Sequence, residues 1–214
     1  MDAGFLSPAL LVALMAYTVG VASPGPSNLA IMAAAMSHGR RRAMALAAGV
    51  VLGSVFWGVA AALGMSALMR SYSWSLLVLK VLGGIYMLWL AWKAAHAAFT
   101  PNALHEASDT TGGDHRQAFR RGLAMHMTNP KAVFVWLSIV ALGVPAGAGR
   151  SHALAVVACC AGIGACIFMG YALAFSTPLA RAAYARIHRA FNALLAGVFV
   201  YAGIRLLLTR SAVS

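Results

Sequence analysis

The sequence is poor in charged residues, and poorest of all in carboxylates. Charged residues make up 9% of the chain, whereas a soluble domain carries about a quarter. The four carboxylates, Asp2, Glu106, Asp109 and Asp114, all lie outside the long apolar runs. This scarcity argues against a soluble acid–base enzyme and against zinc or calcium sites built from carboxylates. Because 62% of the residues are hydrophobic, too little polar sequence remains to coat a water-soluble protein, and we predict a polytopic membrane protein.

Catalytic motifs and paired cysteines are also missing. The sequence has no HExxH, no GxSxG and no pair of aspartates inside an apolar run, so we predict that the protein is not an enzyme and needs no cofactor. Its three cysteines, Cys159, Cys160 and Cys166, fall within one apolar run. An odd number of cysteines in such a run is not a disulfide framework, and we interpret them as small packing residues between helices.

Six stretches of the sequence are long and apolar enough to cross a bilayer as a helix, which takes about 20 residues. They cover residues 5–37, 43–65, 74–95, 118–142, 153–176 and 190–208, and we refer to them as spans one to six. No basic segment precedes span one, so we interpret it as an uncleaved span rather than a signal peptide.

The basic residues behind the net charge of +12 are concentrated in the odd-numbered connections between the spans. Clusters of three arginines follow span one, at 40–42, and span five, at 181, 186 and 189. A nucleic-acid site would need basic residues on one face with aromatics between them, so no nucleic-acid partner is expected. The positive-inside rule instead predicts that the odd connections are cytoplasmic, and that both termini lie outside the inner membrane of a bacterium.

The longest polar segment, residues 96–117, divides the chain into two halves of three spans each, 1–95 and 118–214. We interpret it as a cytoplasmic linker. It also carries three of the four carboxylates and three histidines, so a metal-binding loop is the alternative, although its spacing matches no compact ligand motif. Three is an odd number of spans, so the second half inserts upside down relative to the first. The predicted fold is all-α, with six transmembrane helices in two inverted three-helix repeats.

Each repeat begins with an interrupted helix. In span one, Pro24 and Pro26 remove two backbone donors, and Gly25 allows angles that other residues resist. We expect carbonyls to be released before this break and amide groups after it, with Ser27 or Asn28 capping the new helix. The amide end of a helix favours a carboxylate, and the released carbonyls would take an ammonium group. Broken helices at matching positions of inverted repeats are typical of transporters with a substrate site near the midplane.

In span four, Asn129 and Pro130 supply the second break, and Lys131 follows at once. A charged side chain at the bilayer centre costs about 3 kcal/mol on insertion scales. Lys131 lies about 18–20 Å along the span at helical rise, so we favour a functional role over snorkelling to an interface. His126 is either a proton relay or a buried core histidine, and the sequence leaves both open.

Glycines at regular spacing in span two, such as Gly49 and Gly53, predict close packing between helices. Packing within the monomer and a dimer face are both compatible with this spacing, and the former is the more frequent outcome. For the whole protein, monomer and homodimer stay open, with a homodimer slightly favoured.

Several motifs, in order along the chain, resemble the lysine-exporter (LysE/RhtB) family of amino-acid efflux permeases. They are PGPSN at 24–28, HGRRRA at 38–43, AGVVLG at 48–53, LKVLGGIYMLWLAWK at 79–93 and FRRGLAMHMTNPKA at 119–132. The resemblance implies a cytoplasmic-membrane exporter of amino acids or close derivatives, driven by the proton gradient. By motif match it also implies site positions at Pro24, Gly25, Pro26, Asn28, Asn129, Pro130 and Lys131.

The chain departs from the family pattern at two places. Many members carry Asp or another polar residue where this chain has Ser54, and their frequent P-Q-F after span four is replaced by Val144, Pro145 and Ala146. Without an intramembrane carboxylate, the proton carrier is His126, Lys131 or the substrate itself. We expect a preference for neutral amino acids, and export of a metal or other inorganic cation through the His/Asp linker is the alternative function.

Overall fold

The computed structural model describes residues 7–23, 25–71, 114–144 and 148–208, together with scattered positions between 81 and 99. All regular structure in these ranges is helical, as predicted. The helices are α1 (Pro8–Ala22), α2 (Pro26–His38), α3 (Arg40–Ser71), α4 (His115–Met127), α5 (Pro130–Gly143), α6 (Arg150–Ala174) and α7 (Pro178–Leu208).

Two helices, α3 and α6, are long and apolar enough to cross a membrane on their own. The pair α1 and α2 is bent by 50° at its break and qualifies as a third crossing when taken as one span. In the second half, α5 is a shorter apolar helix. Most of span three and most of the linker lie outside the described residues, so the six-span repeat stays a prediction.

The connection before span six differs from the prediction. The arginines at 181, 186 and 189 were expected in a loop, but α7 already begins at Pro178 and continues to Leu208. The amide of Ala180 donates to Thr177 Oγ1 over 3.4 Å, and proline follows at the first helical position. A threonine followed by a proline is typical of a helix start. The sequence prediction placed a loop here because the segment is rich in arginine.

Glycines of α3 and α4 let these two helices touch through their backbones. A Cβ on Gly49 would overlap the Phe119 carbonyl oxygen, and a Cβ on Gly122 would overlap that of Leu46. Gly53 lies against His126 further along both helices. The contacts advance together along both helices, so α3 and α4 run in the same direction. The Gly49–Gly53 face is therefore filled within the monomer, as expected.

Helices α1 and α5 pack in opposite directions. The end of α1, at the first break, therefore lies near the start of α5, at the second break. Gly20 of α1 approaches Val135 near the start of α5, whereas Ala13 approaches Gly143 at its end. Fifteen residues of α1 and thirteen of α4 precede the breaks, about 20 Å of helix in each case. Neither α1 nor α4 is therefore long enough by itself to cross a bilayer core, which is about 30 Å thick.

Adding a methyl group between α3 and α4 should destabilise the fold. We expect Gly49→Ala and Gly122→Ala each to lower the melting temperature of the purified protein in detergent, because overpacking costs about 1–3 kcal/mol. Gly64→Ala and Gly162→Ala are the matched controls, since no described atom lies within 4 Å of a Cβ at either position. Equal melting temperatures for the two pairs of variants would contradict the backbone contact.

Candidate functional site

The first break lies between Ala22, the last residue of α1, and Pro26, the first residue of α2. Ser23 and Gly25 are extended, and Pro24 lies outside the described residues. The break predicted from the sequence is confirmed, and it tilts the second helix by 50° relative to the first.

Two details of the predicted break are wrong. Neither Ser27 nor Asn28 caps α2: the N-cap is Gly25, which has no side chain, and both polar residues lie buried in the first turn. Gly25 also has ordinary extended angles, φ −149° and ψ 177°, which any residue adopts. The reason for glycine is space, because a Cβ here would lie 3.1 Å from Lys131 Nζ and 3.2 Å from Lys131 Cδ.

The two prolines leave the carbonyls of Gly20 and Ala22 without the amides they would bond in a continuous helix, since residue i bonds the amide of residue i+4. Side chains replace both partners. The Ser23 hydroxyl donates to Gly20 O over 2.8 Å, and the Tyr171 hydroxyl, from α6, donates to Ala22 O over 2.7 Å.

The neighbouring carbonyls are satisfied by Asn28. Its Nδ2 donates to Val21 O over 2.8 Å and to Ser23 O over 3.1 Å. The expectation that released carbonyls stand open for a substrate is therefore wrong in this conformation. The backbone amide of Ser27, in contrast, has no hydrogen-bond partner among the described residues.

The second break separates α4, which ends at Met127, from α5, which begins at Pro130. Here the sequence prediction of a helix start is confirmed in detail. Asn129 is the N-cap, and its Oδ1 accepts from the Lys131 amide over 3.1 Å. Asn129 is buried, so this cap belongs to the interior of the protein.

Polar side chains join the two breaks directly. Lys131 Nζ donates to Ser23 O and to Ser23 Oγ, each over 2.7 Å. Ser27 Oγ lies 3.0 Å from His126 Nδ1 and accepts from Asn129 Nδ2 over 3.4 Å. The structure thus brings together the predicted site residues of both halves, while Pro26 and Pro130 begin the helices that present them.

Lys131 is buried, with 7% of its surface exposed, so it does not snorkel. The separations from its two acceptors are typical of charge-assisted hydrogen bonds. An ammonium group has three donors, and the third has no acceptor among the described residues. No carboxylate occurs between residues 3 and 105 or after residue 114, so none of the cavity-lining helices supplies a counter-charge.

Around this junction lies a cavity of about 350 Å³, including the part open to solvent. Its polar end contains Ser27, Asn28, His126, Asn129 and Lys131, and its apolar end contains Tyr17, Val135 and Trp136. Phe168 also lines the cavity, with its ring centroid 5.7 Å from that of His126. The space in this cavity that water can enter would hold about two water molecules. An amino acid would therefore need side chains to move.

The apolar end was not foreseen from the sequence. Tyr17 and Trp136 are almost fully buried, with ring centroids 5.0 Å apart. Ser54 Oγ accepts from Trp136 Nε1 over 3.0 Å and lies 3.4 Å from the Tyr17 hydroxyl. A Cβ on Gly164 would come within 2.6 Å of that hydroxyl. Only Ser54 had been singled out, as a departure from a family pattern, because aromatic residues in apolar spans look alike in sequence.

The alternative metal site falls mostly outside the described residues, since residues 100–113 of the linker are not described. Asp114 belongs to α4, where its Oδ1 accepts from the amide of Arg116 over 3.3 Å as the N-cap. Among the residues that the structure does describe, no group of three His, Cys, Asp or Glu side chains lies close enough to hold a metal ion.

The family model described as LysE type translocator matches residues 18–210 of the chain. The threonine efflux protein of Escherichia coli is 25% identical over 201 residues, which cover 94% of this chain and 98% of that protein. The cysteine/O-acetylserine efflux protein of Klebsiella pneumoniae is 27% identical over 94% of this chain and 98% of its own length.

A third relative, the leucine efflux protein of Klebsiella pneumoniae, is 29% identical over 128 residues, 58% of this chain and 59% of that protein. No solved structure matches the chain at a significant level.

Removing the hydroxyl that satisfies Ala22 should destabilise the first break. Tyr171→Phe leaves a half-buried carbonyl without its donor, a loss of about 1 kcal/mol. Thr18→Val is the matched control, since Thr18 Oγ1 donates over 2.8 Å to Leu14 O inside α1, a carbonyl that also has its helical amide. Chemical denaturation in detergent should show the loss for Tyr171→Phe alone, and equal losses would contradict this account of the break.

Proposed function

The chain belongs to the family of LysE type translocators, and from this premise we propose that it exports amino acids or close derivatives from the bacterial cytoplasm. The proposal is supported by one observation above all. The breaks of two antiparallel helices meet at the middle of the protein and line a shared cavity with a buried ammonium group. A substrate site at the junction of broken helices is the arrangement expected of a secondary transporter.

The two groups common to all amino acids find complementary partners in this cavity. A carboxylate is favoured by the Lys131 ammonium and by the start of α2, where the backbone amide of Ser27 has no partner among the described residues. The carbonyl end of α1 favours an ammonium group, because a helix C-terminus is electronegative. The apolar end beside Trp136 would receive the side chain.

The charge of the cavity favours neutral amino acids over lysine and arginine. Lys131 is positive, and no carboxylate lies in the helices that line the cavity. A second positive group on the substrate side chain would therefore be repelled without compensation. Lysine export faster than that of every neutral amino acid would contradict this preference.

The proposed membrane architecture is a pair of inverted three-helix repeats with both termini outside. It is supported by the direction of the described helices, since α1 and α5 are antiparallel and their breaks adjoin. Coupling to the proton gradient is part of the proposal, with His126 as the candidate carrier beside Lys131 and the substrate. His126 is suited to this role because it lines the cavity and contacts Ser27 of the other half.

Efflux from cells fed dipeptides tests the proposal, because hydrolysis of the dipeptides raises the internal amino-acid pools. Expression of the chain should accelerate the appearance of a small set of neutral amino acids outside. Lys131→Ala and Asn129→Ala should each slow this efflux by about ten-fold or more, the effect of losing about 1.5–3 kcal/mol of hydrogen bonding to a charged group.

Arg150→Ala is the matched control, since it also removes one positive charge, but from an exposed position at the start of α6. It should leave efflux unchanged. Absence of amino-acid efflux despite good membrane expression would overturn the proposal and favour cation export. Deletion of residues 102–113, which spares the Asp114 cap of α4, would then abolish cation resistance.

A further inference from the structure

The contact between Lys131 and Ser23 has the composition of a binding site for a primary ammonium group. Ser23 O and Ser23 Oγ both accept from Lys131 Nζ over 2.7 Å, at the electronegative end of α1. The two residues lie 108 positions apart in the sequence and belong to different halves. The ammonium group in this site is therefore that of Lys131 on α5, and it does not come from a residue of the first break.

The other carbonyls at the end of α1 are already committed to donors. Val19 O accepts from the Ser23 amide, and the carbonyls of residues 20, 21 and 22 accept from the side chains of Ser23, Asn28 and Tyr171. Ser23 O also accepts from Asn28 Nδ2 over 3.1 Å, but its other lone pair and Ser23 Oγ are held by the long, unbranched side chain of Lys131. A substrate ammonium can reach the break at Ser23 by displacing Lys131.

We propose that Ser23 O and Ser23 Oγ form the ammonium subsite of the transporter, and that Lys131 occupies it until a zwitterionic substrate takes its place. The substrate carboxylate binds Lys131 and draws it away, while the substrate ammonium takes over the two acceptors on Ser23. This inference rests on the proposed export of amino acids and adds a mechanism by which the pocket recognises the zwitterion.

The exchange keeps both ammonium groups hydrogen-bonded and supplies the counter-charge that Lys131 lacks in the empty protein. Before binding, the single ammonium in the cavity is held by two oxygen acceptors. After binding, the substrate ammonium has the same acceptors, and Lys131 has gained a carboxylate. An amine without a carboxylate would place two ammonium groups side by side with no anion, so the wild-type cavity excludes it.

Space and packing at the site agree with a moving lysine. The cavity has room for only about two water molecules in the present conformation. Lys131 lines it and contacts Ser23, so withdrawal of the lysine would open the cavity toward Ser23. Gly25 leaves room for this lysine, because a Cβ at position 25 would lie 3.1 Å from Nζ and 3.2 Å from Cδ of Lys131. A side chain at position 25 would obstruct the path of Lys131.

The test compares amino acids with the amines that lack only their carboxyl group. Binding of L-threonine and 1-amino-2-propanol, and of L-leucine and isoamylamine, is measured on the purified full-length protein in detergent, where passive membrane permeation of amines plays no part. The proteins are the wild type, Lys131→Ala, Lys131→Met, which keeps most of the side-chain volume, and the control Arg150→Ala, which removes an exposed charge.

The wild type and Arg150→Ala should bind an amino acid of the pair and bind its amine about ten-fold more weakly or worse. Lys131→Ala and Lys131→Met should bind the amine about ten-fold more tightly than the wild type, because the subsite on Ser23 is vacant. Adding Ser23→Ala to Lys131→Ala should remove much of this gain. Amine binding that stays at the wild-type level in either folded lysine variant would overturn the inference.

A measurement on the wild type alone keeps the inference testable if both lysine variants fail to fold. N-acetyl-L-leucine keeps the carboxylate but has no ammonium group to replace Lys131 on Ser23, so it should bind about ten-fold more weakly than L-leucine. Equal affinities would overturn the exchange. Failure of the proposed function gives a different result, because the wild type would then neither bind nor export any amino acid. Even in that case, amine binding gained by Lys131→Ala would establish the ammonium subsite.

Discussion

The structure depends on how the carbonyls released at the end of α1 find hydrogen-bond donors inside a membrane. An unmet carbonyl there costs several kcal/mol, and two prolines make a continuous helix unable to supply the amides. The donors come instead from Ser23 itself, from Asn28 on α2, from Lys131 on α5 and from Tyr171 on α6. Satisfying the break therefore joins four helices at one point, beside the cavity that Asn28 and Lys131 line.

The same constraint explains how a positive charge can lie buried without a carboxylate. Lys131 has two oxygen acceptors at hydrogen-bonding distance, which replace part of its hydration but not its missing anion. Such a site is held together in the empty protein and becomes more stable when an anion arrives. On the proposed function that anion is the carboxylate of the substrate. The lack of a counter-charge thus makes the burial of Lys131 unfavourable and also gives the site its affinity for the substrate.

Local sequence signals predicted the two breaks, because proline and asparagine act within a few residues. They could not predict which side chain meets which carbonyl, since partners such as Ser23 and Lys131 lie 108 positions apart. Gly25 is an example of a residue whose role could not be predicted from its neighbours in the sequence. Its backbone is ordinary, and its lack of a side chain is explained only by a lysine from the other half. The start of α7 was missed for a different reason, because a basic composition outweighed a Thr-Pro helix start in the prediction.

The polar and apolar ends of the cavity come from different structural sources, and this separates two aspects of recognition. The polar end is built by the breaks, and its residues Asn28, Asn129 and Lys131 also satisfy backbone groups, so substitutions at these three affect the fold as well as the site. The apolar end depends on Tyr17 and Trp136, whose positions are set by small residues such as Ser54 and Gly164. Substitutions at those small positions would reshape the space for a side chain while the groups that bind the amino and carboxyl ends stay in place. On the proposed function, specificity for different amino acids can therefore change without a change in the way the zwitterion is held.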